Sequence, residues 1–334
     1  MFSIKEINQA SRSFGYLEEV ATKEAKEILY FTTRVRDDGI TEKVIDECEQ
    51  ELQKYYQGNE ALPSKYQFRI LPCIDFKEGF ERDAVYCCGG PGSGKTWQIA
   101  NYIQNYHKFY PENQILYVSA NNIENDASLD RVLSLKRTVI DPKTKKPVEE
   151  RVLKQINLLS VESAIDHQEW KDTLFIFDDI IDMKPTVNIN EVIAQLTEEE
   201  KKKFMKNGCT LKEKESLENY TLRKMKRCIG YIRDSITNLL KGGRKQRISL
   251  IIVDHKLNSG PVTCDFISQC SSFWLFPYAN NSKESLKTWL RGKISFDKEE
   301  AATIAEIEFY QFDFLFINKA GKKFCMTPDR LIVF

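Results

Sequence analysis

Eight consecutive residues, Gly89-Gly90-Pro91-Gly92-Ser93-Gly94-Lys95-Thr96, have the spacing G-x-x-x-x-G-K-[ST]. The glycines free the backbone to turn successive N–H groups toward one anion, and a helix beginning at Lys95 adds the positive end of its dipole. A lysine there reaches β- and γ-phosphates, and a threonine hydroxyl after it can hold Mg²⁺. The stretch therefore reads as a phosphate-binding loop (Walker A) for a nucleoside triphosphate, ATP with Mg²⁺. A second acidic pair, Asp178-Asp179, ends the apolar run Thr173-Leu174-Phe175-Ile176-Phe177. The first carboxylate is placed to hold Mg²⁺ and the second to orient and deprotonate an attacking water, as in a Walker B strand. Asp182 competes with Asp179 for that role. Asp254-His255 ends another apolar run, Ile248 to Val253, and His255 there is either a polar sensor of the γ-phosphate or a histidine on an exposed strand end.

These groups need strands and helices to hold them. Ala84-Val85-Tyr86-Cys87-Cys88 before the loop reads as a buried strand. After it, Ile99, Ala100, Ile103 and Tyr106 fall on one helical face. Further strands are expected at Gln114–Ser119, Thr173–Asp179, Ile248–Val253 and Ser272–Phe276. The charged segment Asp141–Pro147 reads as a hairpin tip, and a long helix is expected over 190–241. Helices follow at 283–290 and 297–309, the second opened by Asp297 with Glu300 three on. A closing hairpin joins 314–317 to 323–326. Continuous apolar strands alternating with helices predict an α/β fold whose mostly parallel sheet is covered on both faces. The placement of His255 beside the loop depends on its strand lying between the loop strand and the Asp178 strand.

Residues 1–80 read as a separate N-terminal α+β extension. It has helices expected at Glu18–Tyr30 and Thr41–Tyr56 and a strand at Tyr66–Leu71; the nucleotide-binding domain occupies 81–334. The 334 residues contain 49 basic and 49 acidic side chains, so affinity for a polyanion must come from a local patch. That patch is 223–247, where nine lysines and arginines face Asp234 alone. Met225, Cys228, Ile229, Ile232, Ile236, Leu239 and Leu240 keep helical spacing, leaving Lys226, Arg227, Arg233 and Lys241 for a second face. Such a face either neutralises DNA phosphates without reading bases or is simply solvated. Arg244, after Gly242-Gly243, is an arginine finger for a neighbouring subunit or a charge at a helix C-terminus. Nine scattered cysteines without C-x-x-C pairs, three histidines, no long apolar run and no signal-peptide core argue for reduced thiols, no zinc and a soluble, unsecreted protein.

The order of these motifs resembles the poxvirus-type genome-packaging ATPases of large double-stranded DNA viruses, within the FtsK/HerA superfamily. The resemblance rests on the loop, on Phe177-Asp178-Asp179, and on Leu239-Leu240-Lys241-Gly242-Gly243-Arg244-Lys245-Gln246-Arg247-Ile248-Ser249. Ser271 to Pro277 and Asp313 to Ile317 extend it across about 84–334. It departs from the family at Lys245, where histidine is common, at His255, where the sensor is usually glutamine, and at 183–227, a probable helical insertion. The resemblance implies a core sheet in the order 5-1-4-3-2 and a ring, hexameric in such families. Double-stranded DNA would pass through its channel toward a capsid or portal protein, at an assembly site in the host cytoplasm or associated with the virion. It also implies that Arg244 serves the adjacent subunit. Two other readings remain open from the residues: a P-loop nucleotide or metabolite kinase, and a nucleotide-gated assembly protein with negligible hydrolysis.

Overall fold

The computed structural model describes residues 3–5, 13–19, 29–32, 66–75, 79–80, 82–141, 143–179, 198, 211–257, 260–277, 282–319, 324–327 and 331–333. The central element is a nine-stranded sheet. Its strands are β6 (Ala84–Gly89), β7 (Gln114–Ser119), β10 (Leu153–Asn157), β11 (Thr173–Asp178), β12 (Ser249–Asp254), β13 (Ser272–Phe276), β14 (Leu315–Asn318), β15 (Phe324–Met326) and β16 (Leu331–Val333). Their spatial order is β10-β7-β11-β12-β6-β13-β14-β15-β16. Counting the loop strand β6 as first, then β7, β11, β12 and β13, the parallel core runs 5-1-4-3-2, as the resemblance implies. Two additions were not expected in that order. Parallel β10 extends the sheet beyond β7, and antiparallel β14, β15 and β16 extend it beyond β13.

The alternation of side chains along β6 explains why this sheet is covered twice. Ala84, Tyr86 and Cys88 join one buried cluster and Val85 and Cys87 the other. Against the second cluster lies α1 (Lys95–Phe109), whose Ile99, Ala100, Tyr102, Ile103 and Tyr106 are all buried. Against the first lies α3 (Leu211–Gly242), which buries Met225, Cys228, Ile229, Ile232, Ile236, Leu239 and Leu240, the seven residues the helical spacing singles out. Each such fully buried side chain contributes about 1.5–3 kcal/mol, whereas an exposed ion pair contributes ~0–1 kcal/mol. Packing, not surface charge, therefore fixes α3 on the sheet. Also in this layer are α4 (Pro261–Gln269), α5 (Lys283–Trp289, prolonged by a π-helical turn Leu290–Ile294) and α6 (Lys298–Ala305). The capping box at Asp297 and Glu300 is present, but α6 stops at Ala305, short of the expected 309.

Between β7 and β10 the chain forms the short helix α2 (Asp130–Leu133) and the hairpin β8 (Lys136–Ile140)/β9 (Pro147–Arg151), with its turn at the expected tip. Of the helix expected at Glu18–Tyr30 in the N-terminal region, residues 20–28 lie outside the described residues. Its two ends belong to antiparallel strands β2 (Ser13–Glu19) and β3 (Leu29–Thr32), with Tyr16 opposite Tyr30 and Leu17 opposite Leu29 in register. Short runs rich in aromatic residues favour pleated strands, and here that preference overrides an approximate helical spacing. With β1 (Ser3–Lys5), β4 (Tyr66–Asp75) and β5 (Gly79–Phe80) they make a separate sheet ordered β1-β3-β2-β4-β5. Strand β4 meets α1, where Asn105 Nδ2 donates to the Ile70 carbonyl at 3.0 Å. The helix expected at Thr41–Tyr56, Asp182 and most of 183–227 lie outside the described residues.

Candidate functional site

Register brings the chemistry together. Asp178 is level with Val253, Asp254 with Cys88, and Gly89 with Phe276, so the C-terminal ends of β11, β12, β6 and β13 form one rim. Because β12 lies between β11 and β6, the residue just past its end, His255, stands between Asp179 and the phosphate loop. The loop itself needs its glycines for space. A Cβ on Gly89 would come within 2.5 Å of Phe276 Cβ, and Gly94 adopts φ 99° as the N-cap of α1, against Phe312.

Three side chains form a continuous polar chain across the rim. Lys95 is buried; its Nζ donates to the Gly89 carbonyl at 2.6 Å and the Gly90 carbonyl at 3.1 Å. The same Nζ lies 3.3 Å from His255 Nδ1, and His255 Nε2 lies 2.9 Å from Asp179 Oδ2. His255 Nδ1 also lies 3.3 Å from the Gly89 carbonyl, so it accepts from Lys95 when Nε2 alone carries the proton and donates to Gly89 when Nδ1 carries one; either way the imidazole bridges the loop and Asp179. Asp179 reaches His255 from left-handed backbone, φ 55°, which a non-glycine residue adopts at a cost of about 1–2 kcal/mol. The other carboxylate oxygen of Asp179, Oδ1, is buried with no hydrogen-bond partner among the described residues.

Beside it, burial first and the neighbouring Asp179 second push the Asp178 carboxyl up to about 6; the hydroxyl of Tyr117, donating to Asp178 Oδ2 at 2.8 Å, works in the opposite direction. Two adjacent carboxylates, one with an unpartnered oxygen and one made reluctant to ionise, fit a divalent cation, which would relieve both penalties. Asp178 and the Thr96 hydroxyl, which opens α1 beside Lys95, are the residues that would hold Mg²⁺ there.

Several contributors escaped sequence reading. Tyr117 is an apolar-strand tyrosine whose hydroxyl proves to be the partner of Asp178; burial and that carboxylate hold its phenol well above the usual range. The turn carrying His255 is pinned from beneath by buried Asp254. Its Oδ1 accepts from the His255 and Lys256 backbone N–H groups, and its Oδ2 accepts from Tyr86 at 2.9 Å. A cavity of about 610 Å³ opens beside the loop, lined by Gly92 to Trp97, Asp126, Ser128 and Phe312. Trp97 and Phe312 are exposed aromatics, 46% and 59% accessible. Trp97 is held by Arg131, whose guanidinium lies 4.8 Å from the ring centre and whose Nη2 donates to the Trp97 carbonyl. A signal for this was present, since a tryptophan directly after the loop's Lys-Thr pair has no place in the buried face of α1.

Other expected residues are not brought to this rim. Arg244 and Lys245 are exposed in the turn between α3 and β12, where Ile248 N–H bonds the Gly243 carbonyl. That turn belongs to the N-terminal edge of the sheet, since Leu250 N–H bonds the Asp83 carbonyl. About five residues of strand, ~17 Å, separate it from the phosphate loop of its own chain. Arg244 lies near Arg82, which donates to the Leu239 and Leu240 carbonyls and whose guanidinium burial and Arg244 together draw below its ordinary value. Lys226, Arg227 and Lys241 are exposed on α3 and Arg233 is half-buried. None of the four bonds to the loop.

The loop, the acidic strand ending in Asp178-Asp179, and the strand interposed between them define a P-loop NTPase of the class with an additional central strand. No protein-family model matches the chain, and no curated protein matches it. Among solved structures, it is similar to the genome packaging NTPase B204 from Sulfolobus turreted icosahedral virus 2 in complex with AMPPCP. The two are 12% identical over 74% of this chain and 97% of that one, with a TM-score of 0.38. It is also similar to B204, the DNA-packaging ATPase from Sulfolobus turreted icosahedral virus, at 13% identity, 74% and 96% coverage and a TM-score of 0.41. The pCW3 conjugation coupling protein TcpA with ATPγS matches at 12% identity over 95% of this chain and 76% of that one, with a TM-score of 0.38. These are distant likenesses, and the class is assigned on the loop and the strand order. Among the described residues no helix is long and apolar enough to cross a membrane.

Proposed function

We propose that this chain hydrolyses ATP and uses the energy to move double-stranded DNA, as a subunit of a ring that packages a viral genome. The observation that carries the hydrolytic part is the Lys95–His255–Asp179 chain, which joins the phosphate-contacting lysine to a carboxylate with one free oxygen. In this reading the loop N–H groups and Lys95 take the triphosphate, exchanging the Gly89 and Gly90 carbonyls for phosphate oxygens. Thr96 and Asp178 hold Mg²⁺, whose chemistry is to neutralise charge on the β- and γ-phosphates. Asp179 accepts the proton of the attacking water, and His255, set between Asp179 and Lys95, fixes the carboxylate toward the γ-phosphate. Oriented this way, hydrolysis is set by positioning and charge rather than by a covalent intermediate.

The nucleoside has a seat in the cavity beside the loop, between Trp97 and Phe312, with Asp126 and Ser128 offering an acceptor and a hydroxyl at its rim. ATP is therefore expected to change the fluorescence of Trp97, with the change lost in Trp97→Phe and not produced by inorganic tripolyphosphate. Phe312→Ala should weaken ATP about threefold to tenfold, the worth of one aromatic stack, and leave tripolyphosphate binding unaltered. Equal effects on both ligands would place the base elsewhere.

The mechanical part rests on the sequence resemblance, which includes the Gly243-Arg244 turn and the strand after it, and on the exposed basic face of α3. Packaging is what is said of the viral B204 proteins, and it is adopted for this chain as a proposal. Arg244, remote from its own loop, would reach the nucleotide of a neighbouring subunit. The test is steady-state ATP hydrolysis with and without long duplex DNA, alongside native mass measurement with a non-hydrolysable analogue. Slow basal turnover that rises with DNA, and a multi-subunit assembly, are expected. Phosphate transfer to a small acceptor without regard to DNA would instead establish a kinase, and nucleotide-dependent assembly without turnover a gated scaffold.

A further inference from the structure

Among the described residues, five large apolar side chains are exposed: Trp97, Ile140, Val148, Tyr310 and Phe312. Trp97 and Phe312 line the nucleotide cavity and Tyr310 precedes Phe312 in the same turn. The remaining two, Ile140 at 61% and Val148 at 42%, lie on the β8/β9 hairpin, which the nucleotide site does not use.

The hairpin is built as a stiff shaft with a charged end. Along the shaft the charges are matched internally: Lys136 with Glu149 at 2.9 Å, Arg137 with Glu150, Lys154 with Glu150 at 2.6 Å, and Arg151 with Glu124 at 2.6 Å. At the tip the balance changes. Lys143, Lys145 and Lys146 are all exposed, and none is paired with a carboxylate among the described residues. The one acid there, Asp141, is turned inward: its Oδ1 accepts from the backbone N–H of Lys143 at 2.7 Å and of Thr144 at 3.4 Å, which holds its carboxyl below the usual range. Asp141 thus shapes the turn and, kept ionised by these bonds, leaves the tip with three positive charges against one negative. Lys145 sits in left-handed backbone, φ 57°, as the tight turn requires.

The hairpin also leaves the body at a definite place. Val152 N–H bonds the Leu135 carbonyl and Ile115 N–H bonds the Val152 carbonyl, so its base lies at the N-terminal edge of β7. That is the edge carrying exposed Arg244 and Lys245, two strands away, roughly 10 Å along the sheet.

We infer that the β8/β9 hairpin is a backbone-reading contact for duplex nucleic acid, presenting Lys143, Lys145 and Lys146 to phosphates. The three lysines of the tip, none paired with a carboxylate among the described residues, are the charge pattern a polyanion takes. Ile140, opposite Pro147, and Val148, opposite Val139, lie on the two different faces of the ribbon, so the duplex can meet one of them beside the lysines but not both. The contact is distinct from the α3 face already proposed, and it rests on the reading of this chain as a DNA-handling ATPase.

The experiment is duplex binding across a salt series for the whole protein and for Lys143→Glu/Lys145→Glu/Lys146→Glu, with hydrolysis measured in the absence of DNA as the control. The tip lies outside the core, so DNA-independent hydrolysis and the melting temperature should match the parent. The slope of log affinity against log salt should fall by up to about 2.7, the loss of three phosphate contacts, and DNA-stimulated turnover should fall with it. Ile140→Ser and Val148→Ser, made singly because they lie on opposite faces, should each leave the slope unaltered. If the parent binds DNA and the lysine variant binds with the same slope, the hairpin assignment is wrong while the motor reading stands. An altered subunit count with unchanged DNA binding would overturn it in favour of a protein contact. A parent indifferent to DNA overturns both.

Discussion

Lys95→Ala is expected to reduce ATP hydrolysis to background, a loss of at least about 100-fold, and to weaken ATP binding by a similar factor. The size follows from what the side chain does. A buried ammonium aimed at phosphates makes charge-assisted bonds that strengthen in a site shielded from water, and removal of one such group commonly costs about 2.7–4 kcal/mol in the transition state. The structure adds a second consequence. Without nucleotide, Lys95 is the donor for the Gly89 and Gly90 carbonyls. Truncation deprives both, so the variant should also melt earlier, by an amount that corresponds to about 1–3 kcal/mol. Isothermal calorimetry with ATP and a thermal melt without it separate the two. A variant that binds ATP as tightly as the parent would remove the phosphate loop from the mechanism.

Asp179→Asn should produce a different phenotype: binding of ATP preserved within about threefold and turnover reduced by about 10²–10⁴, the range for loss of a positioned base. His255→Ala should lower turnover less, about tenfold to 100-fold, since it leaves the carboxylate in place but unrestrained. The decisive measurement is the double variant. His255 Nε2 and Asp179 Oδ2 are 2.9 Å apart, so if they act as one unit the two losses will not add, and the double variant will resemble Asp179→Asn alone. Additive losses would mean that His255 acts on the nucleotide independently of Asp179. Full activity in Asp179→Asn would pass the role of base to another carboxylate, such as Asp182.

Much of this rim was legible because its residues follow rules of local sequence. Buried parallel strands must be apolar on both faces, which marked β6, β7, β11, β12 and β13, and polar residues immediately after such strands stand out. Gly89 to Thr96, Asp178, Asp179 and His255 were found that way. What sequence spacing does not carry is lateral order. Whether His255 meets Asp179 depends on β12 inserting between β11 and β6, a long-range pairing that no run of residues encodes locally. Tyr117 was missed for the same reason: it looks like part of an apolar strand until its cross-strand neighbour is known. The N-terminal sheet shows the opposite failure at the two ends of the helix expected over Glu18–Tyr30, where antiparallel pairing of 13–19 with 29–32 overrides the helical rhythm. Arg244 was identified by type and position, yet the sheet carries it to the edge away from its own loop.

Strand β12 ends at His255 on the nucleotide side and is preceded by the Arg244 turn on the other, and ladders to β11 and β6 bind it along its whole length. Sliding it by one residue would break both ladders and turn Leu250 and Ile252 out of one core layer and into the other. It behaves as a strut, not a piston. A change at His255 is therefore not passed to the Arg244 turn by sliding of this strand.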